Sequence, residues 1–407
     1  MFKLNLKAAL ALICVCCTWS ACKKDHQNPE NEPCEGQPVF EWKKPVIVTD
    51  GADGNFNFTL ATDKTGNVYV ASKINGSVDA DPGDEVWEVH TNGVVLQKFN
   101  AEGKLVWASV VDAPVVGMHL DALMLVFDTQ LNTYLYTSYS SSPYQFGRIT
   151  RFDEQGNINN GSDHQYGNFL LAFDKQGSRY DIGFENKLTV MNRGNLLFEK
   201  STVDDPGFSA GIIDLQISPN GNIYLLGRLF NKDANFDPAN EVHIKLTEQP
   251  TADKPAMFYV QKLDAQTNFL WVTQVGIANY TGPVNMLIDK MDNVYVNSVN
   301  DNDWRYNTLR KLANDGSLAW QKQVIKSGSI MLDGEDNLYV DGYLQWERYS
   351  TLSGELTWST FADAAYNGHV ISTGDGRTMY SLTPELITSS NYTKATISLR
   401  KYTFCGR

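Results

Sequence analysis

One short motif returns seven times along the chain and constrains its fold more than any other feature. It reads DKTGNVY ending at Tyr69, DTQLNTY at Tyr134, DKQGSRY at Tyr180, SPNGNIY at Tyr224, DKMDNVY at Tyr295, DGEDNLY at Tyr339 and GDGRTMY at Tyr380. The pattern is that of an extended stretch ending in Asp or Ser and a tight turn of Asn, Gly and Asp that supplies positive φ. An aromatic then opens a second extended stretch.

A second motif follows most copies: QKFNAEGKLVW at Trp107, QKLDAQTNFLW at Trp271, RKLANDGSLAW at Trp320 and RYSTLSGELTW at Trp358. MNRGNLLF carries Phe198 in the tryptophan slot, and RFDEQGNIN has no aromatic there. Together the motifs describe two hairpins, hence four strands, per repeat. Successive tyrosines lie 65, 46, 44, 71, 44 and 41 residues apart, which suits blades of roughly 40 to 50 residues with two insertions. The expected fold is all-β, a seven-bladed β-propeller of four-stranded antiparallel blades. The blades are placed at about residues 56–111, 118–162, 167–202, 210–276, 283–326, 328–361 and 366–405 with 38–48.

The last assignment follows from two fragments that complete each other. The seventh copy ends in RKYTFCGR without its Trp-bearing strand, and VFEWKKPVI near the N-terminus lacks a preceding hairpin. Set beside RKLANDGSLAWQKQVI, they make one hairpin with Trp42 in the slot of Trp320. Residues 38–48 are therefore expected to close the ring and leave no open sheet edge between the termini. Closure brings Cys34 near Cys405, and a disulfide between them is expected. In the chain-entropy account such a bond stabilises by about 4 to 5 kcal/mol.

Lys3 and Lys7 precede an apolar run from Ala8 to Cys17 and the small pair Ser20 and Ala21, the layout of a secretory signal peptide. Trp19-Ser20-Ala21-Cys22 resembles the bacterial lipoprotein lipobox, which implies acylation of Cys22, a signal peptide over 1–21 and a polar tether over 22–37. Lys23-Lys24-Asp25 is similar to the export tags of surface-displayed lipoproteins. The resulting expectation is an outer-membrane, lipid-anchored protein facing outward, with a periplasm-facing orientation as the other arrangement.

The stretches GNVYVAS, VDADPGDE and QKFNAEGKLVW resemble the bacterial seven-bladed propeller repeat family, from about residue 40 to the end. LSGELTW is also similar to blades of quinoprotein-like propellers and of outer-membrane assembly lipoproteins. These resemblances concern the scaffold, which carries many functions.

A formal charge of −13, more acidic still once Lys3 and Lys7 leave with the signal, argues against nucleic acid or anionic-lipid surfaces as partners and favours solubility. The recurrent tyrosines and tryptophans read as packing between blades. Two insertions, GSVDADPGDEVWEVH and DANFDPANEVHIKL, are copies of one another that align Asp81 with Asp237, Pro82 with Pro238 and Glu85 with Glu241. Asp79, Asp81, Asp84 and Asp237 supply the hard oxygens calcium takes, while Asp-Pro-Gly is equally a plain β-turn. TDGADGNFNF imitates a calcium loop but has Phe58 where glycine is needed. The six histidines show no pair at metal-ligand spacing, and no nucleophile elbow, P-loop, dinucleotide fingerprint or HExxH is present.

Outside the repeat, SYSSSPYQF with Tyr139 and Tyr144, and NDNDWRYN with Trp304, Arg305 and Tyr306, are the candidate recognition residues. Local packing is the alternative for both. The functional expectation is a non-catalytic envelope scaffold that binds a protein or glycan partner, touches the membrane through its lipid alone and carries no cofactor other than the calcium considered above. A glycosidase or lyase using loop carboxylates, an envelope-assembly factor and a quinone-type oxidoreductase are the rival readings.

Overall fold

The computed structural model describes residues 38–50, 57–81, 86–113, 119–141, 144–165, 170–183, 187–192, 195–203, 211–230, 234–237, 240–244, 251–252, 255–278, 285–299, 305–325, 327–333, 335–342, 345–361, 370–372, 376–388 and 393–404. These form strands and turns, with no helix among the described residues.

The first strand, β1 (Pro38–Asp50), precedes blade one, which comprises β2 (Phe58–Thr62), β3 (Val68–Asp79), β4 (Glu88–Phe99) and β5 (Leu105–Asp112). Blade two is β6 (His119–Phe127), β7 (Thr133–Ser141), β8 (Tyr144–Phe152) and β9 (Ile158–Gln165), and blade three is β10 (Leu170–Phe173), β11 (Arg179–Ile182), β12 (Lys187–Asn192) and β13 (Asn195–Ser201). Blade four takes β14 (Gly211–Ile217), β15 (Ile223–Leu229), β18 (Ala256–Leu263) and β19 (Phe269–Ala278). Its insertion forms a small hairpin of β16 (Asn235–Asp237) and β17 (Val242–His243).

Blade five is β20 (Asn285–Ile288), β21 (Val294–Val299), β22 (Tyr306–Leu312) and β23 (Leu318–Ile325). Blade six is β24 (Ser327–Leu332), β25 (Leu338–Gly342), β26 (Gln345–Tyr349) and β27 (Leu356–Phe361). Blade seven joins β28 (Val370–Ser372), β29 (Thr378–Thr388) and β30 (Thr393–Phe404) to β1, which runs antiparallel to β30 from Pro38↔Phe404 to Asp50↔Lys394. The N-terminal strand thus completes the last blade, as the two sequence fragments imply. The innermost strands β2, β6, β10, β14, β20, β24 and β28 touch in a closed cycle, so the chain is a seven-bladed β-propeller.

The repeated turn explains why each blade begins as it does. Asp63 Oδ1 accepts the backbone N–H groups of Thr65 (2.9 Å) and Asn67 (3.0 Å), and its Oδ2 accepts the Asn67 amide (2.8 Å) and the Tyr69 hydroxyl (3.2 Å). Burial opposes ionisation of Asp63, but these donors outweigh it and hold the carboxyl below its usual range. Burial and the neighbouring carboxylate push the Tyr69 phenol up. Asp128, Asp174 and Asp289 organise their own turns the same way, each reaching the tyrosine six residues on.

The core is seven slabs rather than one mass, because each hydrophobic cluster spans one seam between adjacent blades. A tryptophan from one blade lies on the second turn of the next. A Cβ on Gly316 would sit 2.7 Å from Trp271, and its φ of +84° is one that L side chains rarely adopt. The indole N–H of Trp271 donates to the Asn314 carbonyl (2.9 Å), and its ring meets Tyr224 at 6.1 Å. Trp107, Trp320 and Trp42 repeat the arrangement on Gly156, Gly354 and Gly103, so the seam that closes the ring is built like the others.

The outermost strand of every blade is irregular at one shared position, which leaves Glu41, Val106, Asn159, Leu197, Leu270, Ala319 and Thr357 out of register. All seven are exposed. Such bulges twist an edge strand away from pairing with another chain, which protects the otherwise open outer edges.

Candidate functional site

Antiparallel order gives each blade two unlike ends. The turns joining first to second and third to fourth strands share one, the turn end. The second-to-third connections and the passages between blades share the other, the loop end. Recurrent Asp, Asn, Tyr, Lys and Trp side chains cluster at the turn end and hold blades together. Features that do not recur lie at the loop end.

The two insertions, both at the loop end, are equivalent to the level of single hydrogen bonds. Asp79 Oδ1 accepts the N–H of Asp81 at 3.0 Å, and Asn235 Oδ1 accepts the N–H of Asp237 at 3.1 Å. The buried Gln97 amide donates to the carbonyls of Val46 (2.6 Å) and Ala80 (2.8 Å). The buried Gln261 amide donates to Thr202 (3.0 Å) and Phe236 (3.1 Å). Each glutamine therefore pins its insertion to the blade before it. In blade one, β3 also pairs with β1 through Val48↔Asp79 and Thr49↔Val78. Sequence reasoning paired the insertions but missed the glutamines. Their signal was present, since Gln precedes the repeated Lys only in the two blades that carry an insertion.

The carboxylates considered for calcium are engaged in this local structure. Asp79 Oδ1 accepts the N–H of Trp87 as well as that of Asp81, and Asp237 Oδ2 accepts the Asn240 amide. Asp84 lies outside the described residues. Among the described residues, no group of three or more His, Cys, Asp or Glu side chains could hold a metal ion.

Of the recognition candidates, Tyr139 is 2 % exposed and packs in the cluster between blades one and two, so its ring belongs to the core and not to the surface. Tyr144 opens β8, and its side chain is outside the described part. Arg305 is exposed, with its guanidinium 5.6 Å from the ring of the half-buried Tyr306. Trp304, Cys22, Cys34 and Cys405 lie outside the described residues.

Two carboxyl groups not anticipated from sequence face inward. Asp214, on the innermost strand of blade four, accepts backbone N–H groups of Leu215 and of Met286 in blade five, while Gln216 donates to the Met286 carbonyl. The pair thereby satisfies backbone groups at the inner edge of the next blade. Burial pushes the Asp214 carboxyl up to about 6 against these bonds. Asp341 lines a small cavity with Ser329, Met331, Tyr339, Trp346 and Met379, and Trp346 donates its indole N–H to it at 2.8 Å. Burial raises Asp341 to about 7. Each carboxyl has a local structural partner, and neither stood out in the sequence because single Asp residues in strands carry no pattern.

The sequence matches no family model and no curated protein. Among solved structures it is similar to the Cps50 (Swd1) β-propeller domain of Myceliophteria thermophila, with a TM-score of 0.49, 10 % identity and coverage of 88 % of this chain and 99 % of that one. BamB from Moraxella catarrhalis gives a TM-score of 0.42 at 11 % identity, covering 90 % and 99 %. The Dos1 propeller gives 0.47 at 10 % identity, covering 89 % and 95 %.

Proposed function

We propose that the chain is a cell-envelope lipoprotein, acylated at Cys22 and held on the outer membrane, whose propeller is a non-catalytic scaffold binding a protein or glycan partner through its loop end. The observation that carries this reading is the division of labour between the two ends. The polar side chains that recur are committed to turns and seams, as Asp63, Asp128, Asp174 and Asp289 show. Diversity is concentrated where the insertions and the Arg305 segment lie. The anchor rests on the lipobox-like residues before Cys22.

A glycan array and an envelope-extract pull-down with the unacylated Cys22→Ser chain, beside Trp304→Ala and Arg305→Ala, test it. A bound partner lost in either loop variant supports the loop-end reading, and one retained in both removes that segment from the site. Hydrolysis or elimination of an arrayed glycan would replace the scaffold reading with a carbohydrate-active enzyme. Binding to nothing outside an envelope assembly complex would favour an assembly role.

A further inference from the structure

We propose that the seam between blades six and seven holds a soft monovalent cation, Cu(I) or its analogue Ag(I), between the thioethers of Met331 and Met379. The site goes beyond the scaffold reading above and stands whether or not the chain is anchored. Its donor set is distinct from the His, Cys, Asp and Glu clusters excluded above.

The strand pattern brings the donors together. Ser329 and Met331 alternate onto one face of β24, and their partners across the ladder on β25 are Asp341 and Tyr339. Met379, on β29 of blade seven, packs in the same cluster as Met331, Tyr339 and Trp346. Ser329, Met331, Asp341, Trp346 and Met379 line one cavity, whose free space of about 10 Å³ suits a single atom-sized occupant.

The repeat does not ask for these residues. The position two after the repeated tyrosine is Ala71, Tyr136, Ile182, Leu226, Asn297 and Leu382 in the other blades, and the position before it is Val68, Thr133, Arg179, Ile223, Val294 and Leu338. At this seam alone a carboxyl at the first position accompanies a thioether at the second.

Two further observations point to an occupant. The Ser329 hydroxyl is buried with no hydrogen-bond partner among the described residues, although buried polar groups are as a rule satisfied. Asp341 accepts the Trp346 indole N–H at 2.8 Å, a neutral donor, and no cationic side chain is paired with it among the described residues. Thioethers are soft ligands that select Cu(I) over the hard cations taken by oxygen. An indole face adds cation–π attraction, and one carboxylate balances one positive charge. Asp341 keeps part of its surface exposed, which gives an ion a way in. Methionines also fill gaps in a plain core, but such a core avoids an unsatisfied hydroxyl and a solitary carboxyl.

Ag(I), which needs no reductant, is the ion to add. The chain is the unacylated Cys22→Ser form with every free thiol alkylated, because thiolates outcompete thioethers. Titration calorimetry should show one ion bound per chain. Met331→Leu with Met379→Leu, a volume-conserving pair, should abolish that binding, and Met291→Leu, at an exposed turn, should leave it unchanged. In the parent chain carrying carbon-13 at its methionine methyls, two signals should move together on saturation, and the single Leu variants should identify them as Met331 and Met379. Methionine signals that all stay in place, as they would around a water molecule, overturn the proposal without recourse to any variant. Binding that the double Leu variant retains overturns it as well.

Discussion

Lys262 of blade four and Asp292 of blade five form an ion pair across their seam, 3.7 Å apart, with side chains only 4 % and 2 % exposed. Lys262 also lies over the Tyr224 ring at 5.1 Å and donates to the Asn314 carbonyl at 3.2 Å. Desolvation pulls the ammonium below its usual range, and Asp292 partly restores it. The pair accompanies Ser218 in blade four, at the position where five blades have the turn aspartate, Asp63, Asp128, Asp174, Asp289 and Asp333. Asn220 of blade four donates to the Asp292 carboxylate and Tyr224 to the Asp292 carbonyl, so the next blade supplies the missing acid.

Asp292→Asn removes the charge while tolerating the local φ of +64°. It leaves Lys262 buried without its counter-charge, held only by Asn314 and the Tyr224 ring, at a cost of about 3 kcal/mol, read as a fall in the urea midpoint. Ser218→Asp in that background should recover part of the loss, since Asn222 and Tyr224 then find the acceptor used elsewhere. No recovery would show that the borrowed acid serves something besides the turn.

Asp214 and Asp341 should make stability fall with rising pH. A carboxyl raised in the folded state favours folding below its unfolded value, near 4, and that contribution is lost as pH rises through the folded value. The windows run from about 4 to about 6 for Asp214 and to about 7 for Asp341. Asp214→Asn and Asp341→Asn keep an acceptor for the neighbouring donors but cannot ionise. Each variant should therefore gain on the parent across its window, by on the order of 2 kcal/mol at the upper end. Thermal midpoints at pH 4 and pH 8 check this, and a constant difference between variant and parent would contradict it.

Much of this architecture was legible in the sequence because it is periodic. Seven tyrosines at fixed offsets from turn residues gave the blade count, and Trp42 gave the ring closure. What was not legible is what occurs once or acts between distant segments. The bulge that exposes Val106 recurs in every blade and was still not legible, because it depends on the register of two strands, and local sequence does not encode register strongly where a residue faces solvent. Asp292, the carboxylate that Asn222 uses in blade four, lies 70 residues away in sequence. Tyr139 misled for the opposite reason: an aromatic outside the repeat looked like a surface feature, yet it fills the wedge between blades one and two.

Gln97 and Gln261 offer a test of the duplicated insertions. Replacing either by Ala leaves two buried carbonyls without donors, a loss of about 1 to 3 kcal/mol. The effect should be local. Gln97→Ala should speed hydrogen exchange at the Ala80 and Trp87 amides, which bond within the blade-one insertion. Gln261→Ala should speed it at Asp237 and Asn240 in blade four. Exchange spreading evenly over all blades would mean that the glutamines stabilise the ring as a whole and not the insertions.

The ring should open first between blades two and three. Among the described residues, that seam's buried cluster comprises Tyr136, Ile149 and Leu171, with Met124, Val126, Tyr134 and Phe173 partly buried around it. The next seam buries sixteen such residues, from Tyr180 to Leu263. Blade two is also the one whose fourth strand has no aromatic in the tryptophan slot, so it lacks the ring that Trp42, Trp107, Trp271 and Trp320 lay on the turn of the following blade. Stability distributed this unevenly permits sub-global opening below the free energy of complete unfolding. Native-state hydrogen exchange in low denaturant should show β10 and β11 exchanging by an opening of lower free energy and steeper denaturant dependence than local fraying. β15 and β18, whose side chains are almost all buried, should exchange only with global unfolding. Introducing an aromatic at Leu171 would overpack the seam, whereas Leu171→Ala should lower the opening free energy of β10 and β11 by about 2 to 3 kcal/mol and leave β15 unchanged. Equal exchange in all four strands would make the propeller a single cooperative unit despite its uneven seams.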